Sequence, residues 1–233
     1  MNTHHHHHEH HNKSSESLRD FVLGMADGLT VPFALVAGLA GAVDSTNLII
    51  TAGMAEIAAG CIAMGLGGYM AAKTSSEHYS AEYARELYEI EHMRKVEIKE
   101  TSDILLEFGV PEEHVACVVE GLMKDPHKWA EFMMRFELGL EKPDPSRIVK
   151  SPLIIGSAYA AGGIVPLFPY IVMEHLHEAL IVSVVVSLVA LFAFGAFKGY
   201  FTGQRWFTSA IHTTMIGAAA AGAAFIIARA VGG

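Results

Sequence analysis

The sequence predicts an all-α membrane protein: five transmembrane helices, with a three-helix cytoplasmic carboxylate-rich domain between spans two and three. Three observations carry this. The 233 residues are 52% hydrophobic and 18% charged, with a mean hydropathy of +0.33, against about a quarter charged in an ordinary soluble domain. Five stretches reach the length of about 20 apolar residues that a bilayer requires. Between the second and third of them lies one long segment that holds most of the charge.

The spans are expected at Phe21–Ala42, Leu48–Ala72, Pro152–Met173, Ala179–Lys198 and Phe207–Ala228. The first exceeds the 7 to 15 residue apolar stretch of a secretory signal and contains Asp27 and Pro32, so it is read as a retained helix. Pro32, Pro166 and Pro169, with Gly60, Gly65, Gly162 and Gly163, fit membrane helices, where neighbours re-satisfy the backbone groups a breaker frees. Small residues from Gly53 to Gly68 and from Gly217 to Ala224 allow close helix approach.

Of the 16 Lys and Arg residues, 11 lie between Lys73 and Lys150. The connections Val43–Asn47 and Glu174–Glu178 contain none. The positive-inside rule then makes the amino terminus and residues 73–150 cytoplasmic and sends the carboxyl terminus across the membrane. The expected organisation is a disordered His-rich tail at 1–16, spans one and two at 17–72, the cytoplasmic domain at 73–150 and the remaining spans at 151–233. The tail carries seven histidines in its first twelve residues; such a run binds metal loosely or is an expression scar. The net charge of −9 supplies no basic footprint for nucleic acid. Cys61 and Cys117 make neither a disulfide framework nor a zinc spacing, and are read as reduced thiols.

The cytoplasmic segment reads as helices at about Ser75–Phe108, Pro111–Met123 and Pro126–Glu141. Gly109 ends the first, Pro111 and Pro126 open the next two, and Asp125 is an N-cap. On one uninterrupted helix Glu82, Glu86, Glu89, Glu97, Glu100 and Glu107 project into a sector of roughly 80°, with Met93 among them. Like charges at this spacing destabilise a helix, so the stripe calls for a counter-charge. Arg85, Arg94, Lys95 and Lys99 flank it. The third helix adds Met133, Met134, Glu137 and Glu141. Carboxylate oxygens joined by thioether sulfur suit a transition metal better than calcium or magnesium. Within the spans, Asp27 and Met64 are expected at similar depth. Glu56 lies on the Met64 face of span two but nearer the far leaflet, and charge at such depth marks an ion or proton pathway.

These residues resemble one family. Asp27-Gly-Leu-Thr-Val-Pro-Phe-Ala-Leu35, Met54-Ala-Glu56, Met64-Gly-Leu-Gly-Gly-Tyr69 and Pro166-Leu-Phe-Pro-Tyr170 look like the vacuolar iron transporters, the plant members above all, from about Ser17 to the carboxyl terminus. The resemblance implies a homodimer in the vacuolar membrane that exchanges cytosolic Fe²⁺ for vacuolar protons, some members accepting other divalent metals such as Mn²⁺. It implies a translocation path through Asp27, Met64 and Glu56, and metal binding by Glu86, Glu89, Glu97, Glu100, Met133, Met134 and Glu137. It implies no enzyme activity and no prosthetic group, iron being the cargo. It assigns no role to Glu82 or Glu107. Two other readings compete. One is a metal-buffering domain on a structural anchor. The other is a membrane-anchored ferritin-like oxidase, since Glu89-Ile-Glu-His92 has the Glu-x-x-His spacing of di-iron bundles. The only second such step, Glu174-His-Leu-His177, is expected across the membrane.

Overall fold

The computed structural model describes the backbone of residues 11–232 and the side chains of residues 16–231. Eight helices occur among them: α1 (His11–Ala42), α2 (Thr46–His92), α3 (Arg94–Glu107), α4 (Glu112–Leu122), α5 (Pro126–Phe136), α6 (Arg147–Val172), α7 (Leu176–Phe201) and α8 (Trp206–Gly232). Of these, α1, α2, α6, α7 and α8 are long and apolar enough to cross a membrane, and each contains one of the five expected spans to within a residue. The expected His-rich tail lies outside the described residues through position 10. Its last residues, 11–16, continue α1, because no Gly or Pro interrupts the chain before Gly24.

The chain forms two compact units. The first holds α1, α2 as far as Tyr69, and α6 to α8 from Ile148; the second is Met70–Arg147. Small residues set the helix spacing in the first unit. Gly24 and Gly28, one turn apart on α1, lie directly against the backbone of Ile155 and Tyr159 on α6. In return, a Cβ built on Gly162 would stand 2.9 Å from the Gly28 carbonyl carbon. Gly195 and Gly199 repeat the device between α7 and α8, where added Cβ atoms would lie 2.8 Å from Ala210 Cα and 2.8 Å from Ser209 Cβ. Lipid tails are as apolar as leucine, so helices in a bilayer associate by such close backbone packing and not by a hydrophobic drive.

α1 is the hub of this unit. Leu29, Phe33 and Ala37 pack against Leu191 and Phe194 of α7 and Ala221 of α8. Val36 joins a second cluster with Ile49 and Ile57 of α2, Leu167 and Tyr170 of α6, and Ala179 of α7. Ser183, fully buried on α7, donates a hydrogen bond of 2.6 Å to the Pro166 carbonyl. That bond satisfies a hydroxyl which the hydrocarbon would otherwise leave unpaired. Large apolar side chains such as Ile62, Leu66, Leu153, Phe168, Val189 and Ile226 face outward, as lipid-facing residues do.

The second unit corrects the sequence reading at two places. The long helix expected over Ser75–Phe108 is broken at Met93, whose φ of −118° and ψ of 27° leave the helical region. Its amino-terminal part is the end of α2, which runs unbroken for 47 residues. No glycine or proline marks the break, and both flanks favour helix. It follows instead from tertiary packing, as Ile90, Trp129, Ala130 and Met133 close into one core. The last helix ends at Phe136, not Glu141, because Gly139 takes a left-handed φ of +63°. Elsewhere the signals hold. Asp125 caps α5 by accepting from the backbone N–H groups of His127 at 3.1 Å and Lys128 at 3.3 Å, with Pro126 in the first turn. A second small core joins Leu105 of α3 to Val115 and Val119 of α4.

The glycine contacts predict a position-specific cost. Gly28→Val is expected to destabilise the detergent-solubilised protein by about 1–3 kcal/mol through overpacking. Gly222→Ala, where an added Cβ meets nothing within 4 Å, is expected to leave the thermal midpoint unchanged. Thermal scanning by size-exclusion fluorescence distinguishes the two.

Candidate metal and translocation sites

In the second unit, the chain buries what electrostatics would keep in water. Glu86 on α2 and Glu97 on α3 are each only 2% exposed, although Glu86 lies 14 residues beyond Ala72, where the apolar part of α2 ends. Among the described residues, Oε2 of each has no hydrogen-bond partner. Burial pushes both carboxyls up to about 7, aided by the negative charges of Glu137 and Glu89 at Glu86, and of Glu86 and Glu100 at Glu97. Glu137, the residue that caps α5, is also pushed up, by burial and then by Glu100 and Glu89. Five of the sequence-predicted glutamates therefore share one electrostatic neighbourhood.

The two methionines lie beneath them. Met133 and Met134 are 0% and 1% exposed. Thr101, one turn after Glu97, places its hydroxyl 3.3 Å from Met133 Sδ and 2.7 Å from the Glu97 carbonyl oxygen. Trp129 Nε1 donates to the same hydroxyl at 2.7 Å, so the thioether sits in a fixed polar contact inside an apolar core.

The remaining members of the expected stripe fall away from this cluster. Glu82 is held 3.2 Å from Arg85, which also reaches Glu89 of the cluster at 3.2 Å. Glu107 is exposed at the carboxyl end of α3, two turns beyond Glu100 on the same helix. Met93 itself is 46% exposed. Glu141 lies beyond α5, 3.9 Å from Arg135. Among the described residues no three His, Cys, Asp or Glu side chains converge closely enough to hold a metal as they stand. The carboxylates are gathered but held apart, as like charges are.

His92 does not turn toward them. Its Nδ1 lies 2.9 Å from the Tyr88 carbonyl oxygen and its ring stacks on Tyr88 at 4.1 Å. Glu174 and His175 fall in the connection between α6 and α7, and His177 in the first turn of α7. Neither half of the di-iron pattern is arranged as such a site.

In the first unit, Asp27 on α1 and Glu56 and Met64 on α2 are all partly buried. Tyr159 of α6, which sequence reasoning missed, meets Glu56. Its hydroxyl donates to Glu56 Oε1, and its backbone packs on Gly28, the residue after Asp27 on α1. Glu56 Oε2 is buried and has no partner among the described residues. Met64 lies two turns after Glu56 on α2. Cys61 and Cys117 are free thiols.

A family model described as VIT family matches residues 18–229. Vacuolar iron transporter 1 of Arabidopsis thaliana is 50% identical over 94% of this chain and 87% of its own length. Vacuolar iron transporter 1 of Oryza sativa is 50% identical over 99% of this chain and 91% of its own length. Protein CCC1 of Saccharomyces cerevisiae is 37% identical over 92% and 69% respectively.

The raised carboxyls predict two pH effects of opposite use. Glu86 and Glu97 bind protons more tightly folded than unfolded, so the metal-free protein gains stability as pH falls from about 7 towards the ordinary 4.5. Its thermal midpoint should rise across that window. Glu86→Gln should raise the midpoint at pH 8 and flatten its pH dependence. Affinity for a divalent metal should move the other way, strengthening from roughly pH 6 to 8 as the competing protons leave, which titration calorimetry would read.

Proposed function

Because the chain belongs to the VIT family, whose matched plant relatives are named vacuolar iron transporters, we propose that it carries ferrous iron across the vacuolar membrane, from cytosol to lumen, in exchange for protons. The observation that most supports this is that Glu86 and Glu97 are both buried, each with an Oε2 that has no partner among the described residues, in the unit that also buries the Met133 thioether, which Thr101 links to the Glu97 backbone carbonyl. Such a pair is costly unless protonated or neutralised by a cation. Oxygen donors with soft sulfur select a transition metal. Iron is cargo here, not a prosthetic group, and Mn²⁺ or another divalent transition metal fits the same donors.

In this reading residues 73–150 are a cytoplasmic metal-binding domain. Near-neutral cytosol leaves Glu86, Glu89, Glu97, Glu100 and Glu137 able to exchange protons for metal, with Met133 and Met134 supplying sulfur. Asp27, Met64 and Glu56 then pass the ion through the span. An acidic lumen protonates the carboxylates on its side, releases the metal and returns protons along the same groups. The amino terminus faces the cytosol and the carboxyl terminus the lumen, following the Lys and Arg distribution. The working unit is a homodimer. The oxidase alternative is not favoured, since His92 is engaged with Tyr88 and the plant relatives are named as transporters.

Proteoliposomes containing the full chain should take up Fe²⁺ only when their interior is acidic. Asp27→Ala and Met64→Ala should each reduce the initial rate at least tenfold, while Glu107→Gln should leave it unchanged. Flux without a pH gradient would refute the exchange, and normal flux in the first two variants would refute the path.

A further inference from the structure

Tyr159 is 3% exposed and set deep in an apolar helix, yet its hydroxyl is committed to Glu56 Oε1 on a different helix. Two glycines make the arrangement possible. A side chain at Gly60 of α2 would collide with the Tyr159 ring and hydroxyl, and one at Gly28 of α1 would collide with the Tyr159 backbone. The residue is thus packed on two sides, its backbone on α1 and its phenol on α2. A glutamate carboxylate is a broad rotor about its last torsion, and a single hydrogen bond to one oxygen fixes the direction of the other. Here the other oxygen, Glu56 Oε2, is buried and has no partner among the described residues.

We infer that Tyr159 is a positioning residue of the translocation path: by holding Glu56 through Oε1, it presents Oε2 to the passing metal ion or proton. The inference rests on the reading of Asp27 and Glu56 as path residues. Tyr159 does not itself bind the ion. A hydroxyl that orients a ligand acts as the outer partners of metal ligands do, and loss of such a partner costs about 10- to 100-fold in metal affinity. Asp27 precedes Gly28, which packs on the Tyr159 backbone, so the second path carboxylate is carried by the helix segment that lies against this tyrosine.

The test uses the full chain in proteoliposomes with a fixed acidic interior, reading initial Fe²⁺ uptake against Fe²⁺ concentration. Tyr159→Phe keeps the ring against Gly60 and removes only the hydroxyl. It is expected to raise KM about tenfold while the maximal rate changes far less. Glu56→Gln is expected to impair transport alone, and Tyr159→Phe to add nothing in the Glu56→Gln background, because the hydroxyl acts through that carboxylate. Glu56→Asp withdraws the carboxylate by one methylene from an intact Tyr159. It should reproduce the KM rise, which keeps the test available if Tyr159→Phe does not fold. With Glu56→Gln impaired, a wild-type KM in Tyr159→Phe, or effects that multiply in the double variant, would overturn the inference. If Glu56→Gln transported normally, the path reading itself would fall, and this inference with it.

Discussion

A carboxylate removed from water must be given a proton, a hydrogen-bond donor or a cation, and this requirement organises both units of the protein. In the second unit Glu86 and Glu97 are buried with no donor among the described residues for one oxygen each, and their proton affinities rise accordingly. In the first unit Glu56 meets the same requirement halfway, with one oxygen on Tyr159 and the other without a partner among the described residues. A protein selected only for stability would replace such groups with apolar side chains of similar volume, which is often neutral or favourable. Keeping them accords with the proposal that a cation supplies the missing partner in passing.

The glycine contacts serve that chemistry. Close approach of α1 to α6 at Gly24, Gly28 and Gly162 brings the backbone segment carrying Asp27 beside the one carrying Tyr159. Gly60 removes the side chain that would block the phenol from Glu56 on α2. Three helices therefore meet at Tyr159, whose hydroxyl serves Glu56 in a region where lipid cannot supply a hydrogen bond. The second unit solves its packing differently, with a conventional apolar core of Ile90, Trp129, Ala130 and Met133 under the glutamates.

Much of this was legible in the sequence because hydrophobic length and the positions of Pro, Gly and Asp are direct physical signals. The five spans and the Asp125 cap could be read from residue pattern, which also drew attention to the glutamate stripe of which Glu86 and Glu97 prove buried. The break at Met93 could not, since it is imposed by contacts made 30 to 40 residues later in the chain. Glu107, aligned on an ideal wheel, stands apart in the fold because a wheel ignores distance along the axis, and it is the last residue of α3. Tyr159 was illegible for another reason. A tyrosine in an apolar stretch reads as packing, and its hydroxyl's partner is 103 residues away. The preceding run of small residues in span two was the available signal, because Gly60 leaves room for a bulky neighbour.

The burial of Met133 has a consequence for chemical durability. Thioethers oxidise to sulfoxides, which turns a flexible apolar side chain into a polar, chiral one and disrupts the core around it. A protein that handles a redox-active metal works where peroxide and its radicals form. Met133 is closed off from solvent, with the Thr101 hydroxyl directed at its sulfur, and Met134 is nearly as enclosed. Met93, nearly half exposed at the break between α2 and α3, presents its sulfur to oxidant first. Damage there falls on a hinge of the backbone and spares the sulfur beneath the glutamates.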